Sequence, residues 1–149
     1  MNTESLIDGG YNEIKKCRYG YMCYNCNDQY IGRSLQLYGE FSEGEAMLFK
    51  QIIKPGQTVL DVGANIGAHT VLMALLVGDL GQVHAFEPQR IVFQTLSANI
   101  AINSINNTFC YNRAVGSDSG EVDVPKLNYN SENNYGGVSL ESTDIFVEK

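Results

Sequence analysis

The chain is short of basic residues: 10 Lys and Arg stand against 17 Asp and Glu, a net charge of -7. Lys15-Lys16 and Arg18 make the densest basic run. An acidic chain repels nucleic-acid phosphates and anionic lipid surfaces, so neither nucleic acid nor membrane is an expected partner. Long apolar runs are also lacking. The longest, Val71 to Val77, is far below the about 20 residues that span a bilayer. Met1 to Gly10 has neither a positive segment nor an apolar one, so no secretory leader is read there and a cytoplasmic setting is expected. Only two histidines and four cysteines are present. Cys23 and Cys26 form a C-x-x-C, but zinc would need a fourth ligand with His69 and His84 the only histidines, and no helix opens at the pair as a redox motif requires. Reduced, non-ligating cysteines are expected, with no metal.

What is present is ordinary globular composition: 44% hydrophobic and 18% charged residues, with 15 glycines against three prolines. Residues 1–43 read as an N-terminal appendage and residues 44–149 as the main domain. Within the appendage, Arg18 to Tyr24 and Gln29 to Ile31 read as short strands around Asn27-Asp28. Ser42 and Glu45 have capping-box spacing for a helix from Glu43 to Ile53, with Met47, Leu48 and Ile52 giving it an apolar side. Pro55-Gly56 ends it.

Beyond Pro55-Gly56 the pattern becomes β-α-β-α-β. Thr58 to Val62, Gln82 to Phe86 and Thr108 to Asn112 are short apolar strands, and Gly67 to Val77 and Gln89 to Asn103 are the intervening helices. Such alternation predicts an α/β fold: a parallel, Rossmann-like sheet with helices on both faces. Right-handed crossovers give the strand order 3-2-1. Glu121 to Val124 is a candidate further strand, and Leu127 to Gly137 reads as a loop.

The chemistry concentrates where the first of these strands meets its helix, in Asp61-Val62-Gly63-Ala64-Asn65-Ile66-Gly67. Glycines there let the chain turn sharply and a ligand approach the backbone, and N–H groups opening the helix suit a carboxylate or phosphate. Glu87 ends the second strand about 20 residues further on, the place of an acid that accepts hydrogen bonds from ribose hydroxyls. The two signals together point to an adenosine-containing ligand. A dinucleotide site requires glycine where Asn65 stands, and Asp61 at the mouth of the turn would repel pyrophosphate. S-adenosylmethionine carries an ammonium and a sulfonium and suits both residues.

The runs VLDVGANIGAHT, VHAFEP, LSANIAIN and NRAVGS, in this order, resemble the FkbM family of S-adenosylmethionine-dependent methyltransferases. Tyr38-Gly39-Glu40, Glu45 and Asn134 to Leu140 are similar to further segments of that family. The resemblance implies a class I methyltransferase fold and methyl transfer to the hydroxyl of a small acceptor, such as a sugar or secondary metabolite. It implies that Gly63, Ala64, Asn65 and Gly67 wrap the methionine part, that Asp61 holds its amino end and that Glu87 binds the ribose. Pro88 would shape the strand exit, Ala114 would line the adenine pocket, and Tyr38 and Glu45 would close over the cofactor; packing and capping are the alternative roles of the last two. The sequence names no catalytic base. His69, on the first turn of the helix, reads as structural more readily than as a base. Members of that family continue with a Lys-Ile-Asp-x-Glu-Gly-like strand, which Asp144 to Glu148 does not reproduce. The C-terminal strands are therefore expected to be missing, and a second copy or a partner chain could complete the sheet. The rival readings are a non-catalytic cofactor-binding fragment and an NAD-dependent oxidoreductase.

Overall fold

The structure is a computed structural model that describes residues 10–138 and the backbone of residues 147–148. An antiparallel hairpin, β1 (Asn12–Lys16) and β2 (Tyr21–Asn25), comes first. Helices α1 (Ile31–Tyr38) and α2 (Glu43–Ile52) follow. The α/β layer is β3 (Thr58–Val62), α3 (Ala68–Val77), β4 (Gln82–Phe86), α4 (Arg90–Ile102) and β5 (Thr108–Tyr111). Two short strands, β6 (Val124–Pro125) and β7 (Val147–Glu148), pair antiparallel beyond it. Strands β3, β4 and β5 form one parallel sheet in that spatial order, as the crossover rule requires.

Several local expectations give way to specific contacts. Residues 29–31 are not a strand. Asp28 accepts hydrogen bonds from Tyr30 N (3.1 Å) and Gly32 N (2.9 Å), and this turn opens α1 instead. The other appendage strands lie at 12–16 and 21–25 rather than 18–24. Ser42 forms no capping box: its φ of 53° is left-handed, and its hydroxyl makes no bond to the helix N–H groups. A cap side chain reaches those groups from extended backbone. The buried side of α2 is Ala46 and Ile53 with half-buried Phe49, while Met47, Leu48 and Ile52 are exposed. Small Ala46 lets α2 approach α3, where Met73 and Val77 receive Phe49 and Ile53. Glu121 to Val124 yields only the strand at Val124–Pro125.

Helix α3 is apolar nearly all round, as a helix enclosed by its neighbours must be. It packs on β3 and β4 on one side and on α2 on the other. Both crossovers run the same way across the sheet, so α3 and α4 cover the same face, that of Asp61, Val83, Ala85 and Cys110. Among the described residues no helix covers the opposite face. Leu60, Val62 and Phe109 are exposed there, and the rings of His84, Phe86, Phe109 and Tyr111 stack on one another. No described helix is long and apolar enough to cross a membrane. The four cysteines are unpaired, and no described group of side chains has the makings of a metal site.

The hairpin and α1 share the main core: Met22, Tyr24 and Leu35 are buried with Ala64, Val71, Leu96 and Ile100. The link is polar as well as apolar. Asn99, fully buried in α4, accepts from Cys23 N (2.6 Å) and donates to Cys23 O (2.9 Å) and Ile66 O (2.7 Å). One turn later Asn103 repeats the exchange with Tyr21 N (2.8 Å) and Tyr21 O (2.7 Å). Four helical residues advance about 6 Å and two strand residues about 6.8 Å, so two asparagines one turn apart can satisfy one strand edge. We expect Asn99→Ala to leave Cys23 N–H and two carbonyls without partners and to cost at least about 2 kcal/mol in urea unfolding. A change below about 0.5 kcal/mol would remove Asn99 as the link.

Candidate functional site

The turn from β3 into α3 is closed by its own backbone. Gly63 (φ 78°), Asn65 (φ 51°) and Gly67 (φ 85°) all take left-handed conformations. Gly63 N and Ala64 N both donate to Phe86 O at 2.9 Å, Asn65 N donates to the Glu87 carboxylate at 3.0 Å, and Gly67 N donates to Ala64 O at 2.9 Å. Ile66 N is held by the side chain of Asn65 at 2.7 Å. From Gly63 to Gly67, then, every N–H is used internally. The N–H groups expected to meet a carboxylate or phosphate are those that open α3; the N–H groups of the turn before it are engaged. The left-handed geometry has a packing reason too. A Cβ on Gly67 would lie 2.7 Å from Leu96 Cδ1, whereas one on Gly63 would meet nothing within 4 Å. Gly63 therefore faces open space.

Asp61 stands at the end of β3 on the covered face. Thr70 donates its hydroxyl to Asp61 Oδ2 at 2.6 Å. Burial pushes the Asp61 carboxyl above the ordinary carboxylate range, partly offset by the Thr70 bond and by nearby His69. Glu87, only 3% exposed, ends β4. Its Oε2 accepts from Asn65 N and its Oε1 from Gln89 N (2.8 Å). Burial raises its pKa, these two bonds lower it, and the charge of Asp61 raises it further. Asn112 donates to both Glu87 O and Pro88 O at 2.9 Å and so shapes the chain leaving β4. Glu87 thus ties the strand exit to the glycine turn.

Above Gly63 and Asn65 lies an open cleft of about 260 Å³. Tyr30, Ile31 and Phe41 wall it on one side, and Asn134, Gly136 and Gly137 on the other. The second wall comes so close that a Cβ on Gly136 would be 2.9 Å from Asn65 Nδ2. Of the segment Asn134 to Leu140, residues 139 and 140 lie outside the described residues, as does most of the segment from Asp144 to Glu148.

The structure brings Asp61, Gly63, Ala64, Asn65, Gly67 and Glu87 together at the C-terminal ends of β3 and β4, where ligands of open α/β sheets bind. Pro88 and Ala114 lie apart from that cleft, in a cavity of about 180 Å³ with Arg90, Asn112 and Arg113. Tyr38 and Glu45 do not line the cleft over the turn. Tyr38 lines a groove along α1. Glu45 pairs with His69 Nε2 at 3.1 Å, and the His69 ring rests between Phe41 and Phe49. That setting gives His69 a packing role. Sequence reasoning missed Tyr30, Phe41 and Thr70. Thr70 follows Asp61 by nine residues, and only the strand-turn-helix path brings the two side chains into contact.

No family model and no curated protein matches this sequence. Solved structures do. TYW2 from P. horikoshii in complex with MeSAdo is 21% identical, with a TM-score of 0.54 over 74% of this chain and 39% of that one. Trm5b from Pyrococcus abyssi is 18% identical, with a TM-score of 0.51 over 72% and 34%. This chain spans less than half the length of the structures it matches. The likeness concerns the fold, a Rossmann-like α/β arrangement.

A raised carboxyl pKa in the folded state means that the native chain holds a proton the unfolded chain has lost. Stability from Asp61 is therefore greatest at low pH and falls as pH rises from about 4 through the raised value. In urea unfolding across pH, Asp61→Asn is expected to gain steadily on the wild type over this window. A constant difference between the two would show that burial does not perturb Asp61.

Proposed function

We propose that this chain is the cofactor-binding part of an S-adenosylmethionine-dependent methyltransferase of the FkbM type, acting on a hydroxyl of a small acceptor such as a sugar or secondary metabolite. One observation carries the reading: the glycine turn spends its N–H groups internally and presents carboxylates at its mouth. Pyrophosphate binding draws on free N–H groups and close backbone approach at the turn, and a carboxylate at the turn's mouth such as Asp61 repels it. A ligand with an ammonium and a sulfonium is suited by the opposite arrangement. The open space over Gly63 leaves room for such a ligand beside the backbone. The fold supports the reading by analogy, since the similar TYW2 structure holds MeSAdo.

In this assignment Asp61 Oδ1, free of the Thr70 bond, receives the amino group of the methionine part. Gly63, Ala64, Asn65 and Gly67 curve around that part. Each oxygen of Glu87 retains a lone pair beyond its backbone bond and takes a ribose hydroxyl. Pro88 and Ala114 border the adenine end. The bound cofactor would supply an electrophilic methyl for transfer to the acceptor hydroxyl, whose proton would be released to water. The protein acts by proximity and alignment. Residues 44–149 hold the cofactor, and Tyr30, Ile31 and Phe41, from residues 1–43, wall one side of the cleft. The uncovered aromatic face of the sheet favours a second reading, in which a second copy or partner chain packs on that face to complete the enzyme.

Calorimetric titration with S-adenosylmethionine, S-adenosylhomocysteine and NADH tests the proposal. Saturable binding of the first two is expected, weakened at least tenfold for S-adenosylmethionine in Asp61→Asn, a charge-assisted bond being worth about 1.5–3 kcal/mol. Preference for NADH, or failure of the folded wild-type chain to bind S-adenosylmethionine, would overturn it.

A further inference from the structure

We propose that the groove along α1 is the acceptor site and that its ligand is a hydroxylated ring bearing an anionic substituent; this rests on the methyl-transfer reading above. The groove has a volume of about 300 Å³, the scale of a small molecule. Tyr30, Arg33, Leu37, Tyr38 and Phe41 line it. It shares Tyr30 and Phe41 with the cleft over Gly63 and Asn65. The two cavities therefore adjoin at these two side chains, which puts a ligand on α1 next to one at the glycine turn.

The residues of the groove sit on one face. Positions 30, 33, 37 and 38 lie along one side of α1, and Phe41 joins them from the segment beyond left-handed Gly39. Helix α1 buries its other side, Gly32 and Leu35, against β2. Gly32 is the close contact, since a Cβ there would lie 2.3 Å from Asn25 O. The core thus already claims one side of α1, yet Tyr30 (60%), Leu37 (55%) and Tyr38 (69%) are exposed on the other. An exposed apolar stripe of this kind marks a binding surface.

Charge selects the ligand. Arg33 is exposed within the stripe and makes no ion pair among the described residues. A planar guanidinium takes a carboxylate or a phosphate through paired N–H donors. Gln29, at the groove's end, is engaged with Glu132. Tyrosine rings on either side of Arg33 offer flat apolar faces with polar tips, suited to a ring that carries hydroxyls.

The test is binding to the full chain, preloaded with S-adenosylhomocysteine, of three probes: 4-hydroxybenzoate, glucuronate and glucose 6-phosphate. The first against the second separates aromatic from sugar rings, and the second against the third separates carboxylate from phosphate. At least one probe is expected to bind saturably. Arg33→Ala and Tyr38→Ala should each weaken it tenfold or more, with unchanged melting temperature and unchanged S-adenosylhomocysteine binding. Equal binding by wild type and Arg33→Ala overturns the proposal, as does S-adenosylhomocysteine binding with none of the probes bound. Arg33-dependent probe binding by a chain that binds no S-adenosylhomocysteine would uphold the groove and remove the methyl-transfer reading alone.

Discussion

The buried amide of Asn99 is the constraint on which the arrangement of this protein depends. It satisfies both backbone groups of Cys23 and the carbonyl of Ile66, and so joins the hairpin, α4 and the glycine turn at one point. A side-chain amide has two donors and an acceptor with two lone pairs, and three bonds use most of that capacity. Full satisfaction is what makes a buried polar group tolerable in an apolar core. With Asn103 it also closes the edge of β2, which would otherwise present bare N–H and C=O groups. The hairpin is held in place by these bonds, and α1, docked on β2, is held with it. The walls of both cavities on that side follow from this position.

Glu87 makes the corresponding connection on the ligand side. Its carboxylate accepts from Asn65 N and Gln89 N while almost fully buried. Burial disfavours the charge and the two N–H bonds restore part of the loss. Asp61, close enough to raise the pKa of Glu87, adds a second carboxyl to the same small region. Two carboxyls, with the backbone donors of the turn already engaged, leave the site short of positive charge. A cationic ligand relieves that imbalance and an anionic one aggravates it. The electrostatics of the turn thus favour positive over negative charge beside it, which its glycine pattern alone does not show.

The α/β layer was legible in the sequence because its signals are local. Strands β3, β4 and β5, the helices between them and the spatial order of the strands all follow from apolar periodicity, glycine punctuation and crossover handedness. The appendage was less legible. Asp28 converts an expected strand into a helix start, Ser42 sits in left-handed backbone, and α2 turns Ala46 rather than Met47 toward the core. The first is a local turn, closed two and four residues on, that the apolar pattern does not signal; the other two depend on a dihedral angle that residue identity leaves free or on a partner distant in sequence.

The sequence by itself determined the type of sheet, the position of the turn between β3 and α3 and the placing of Asp61 and Glu87 at strand ends, since each is set within a window of a few residues. Only the tertiary structure decided that the turn's N–H groups are spent internally and that Tyr38 faces a groove of its own. It also decided that Glu45 serves His69. Those outcomes hang on contacts such as Asn99 with Cys23, 76 residues apart, and on which of two possible faces a helix turns inward. Local pattern makes both faces available, and packing chooses between them.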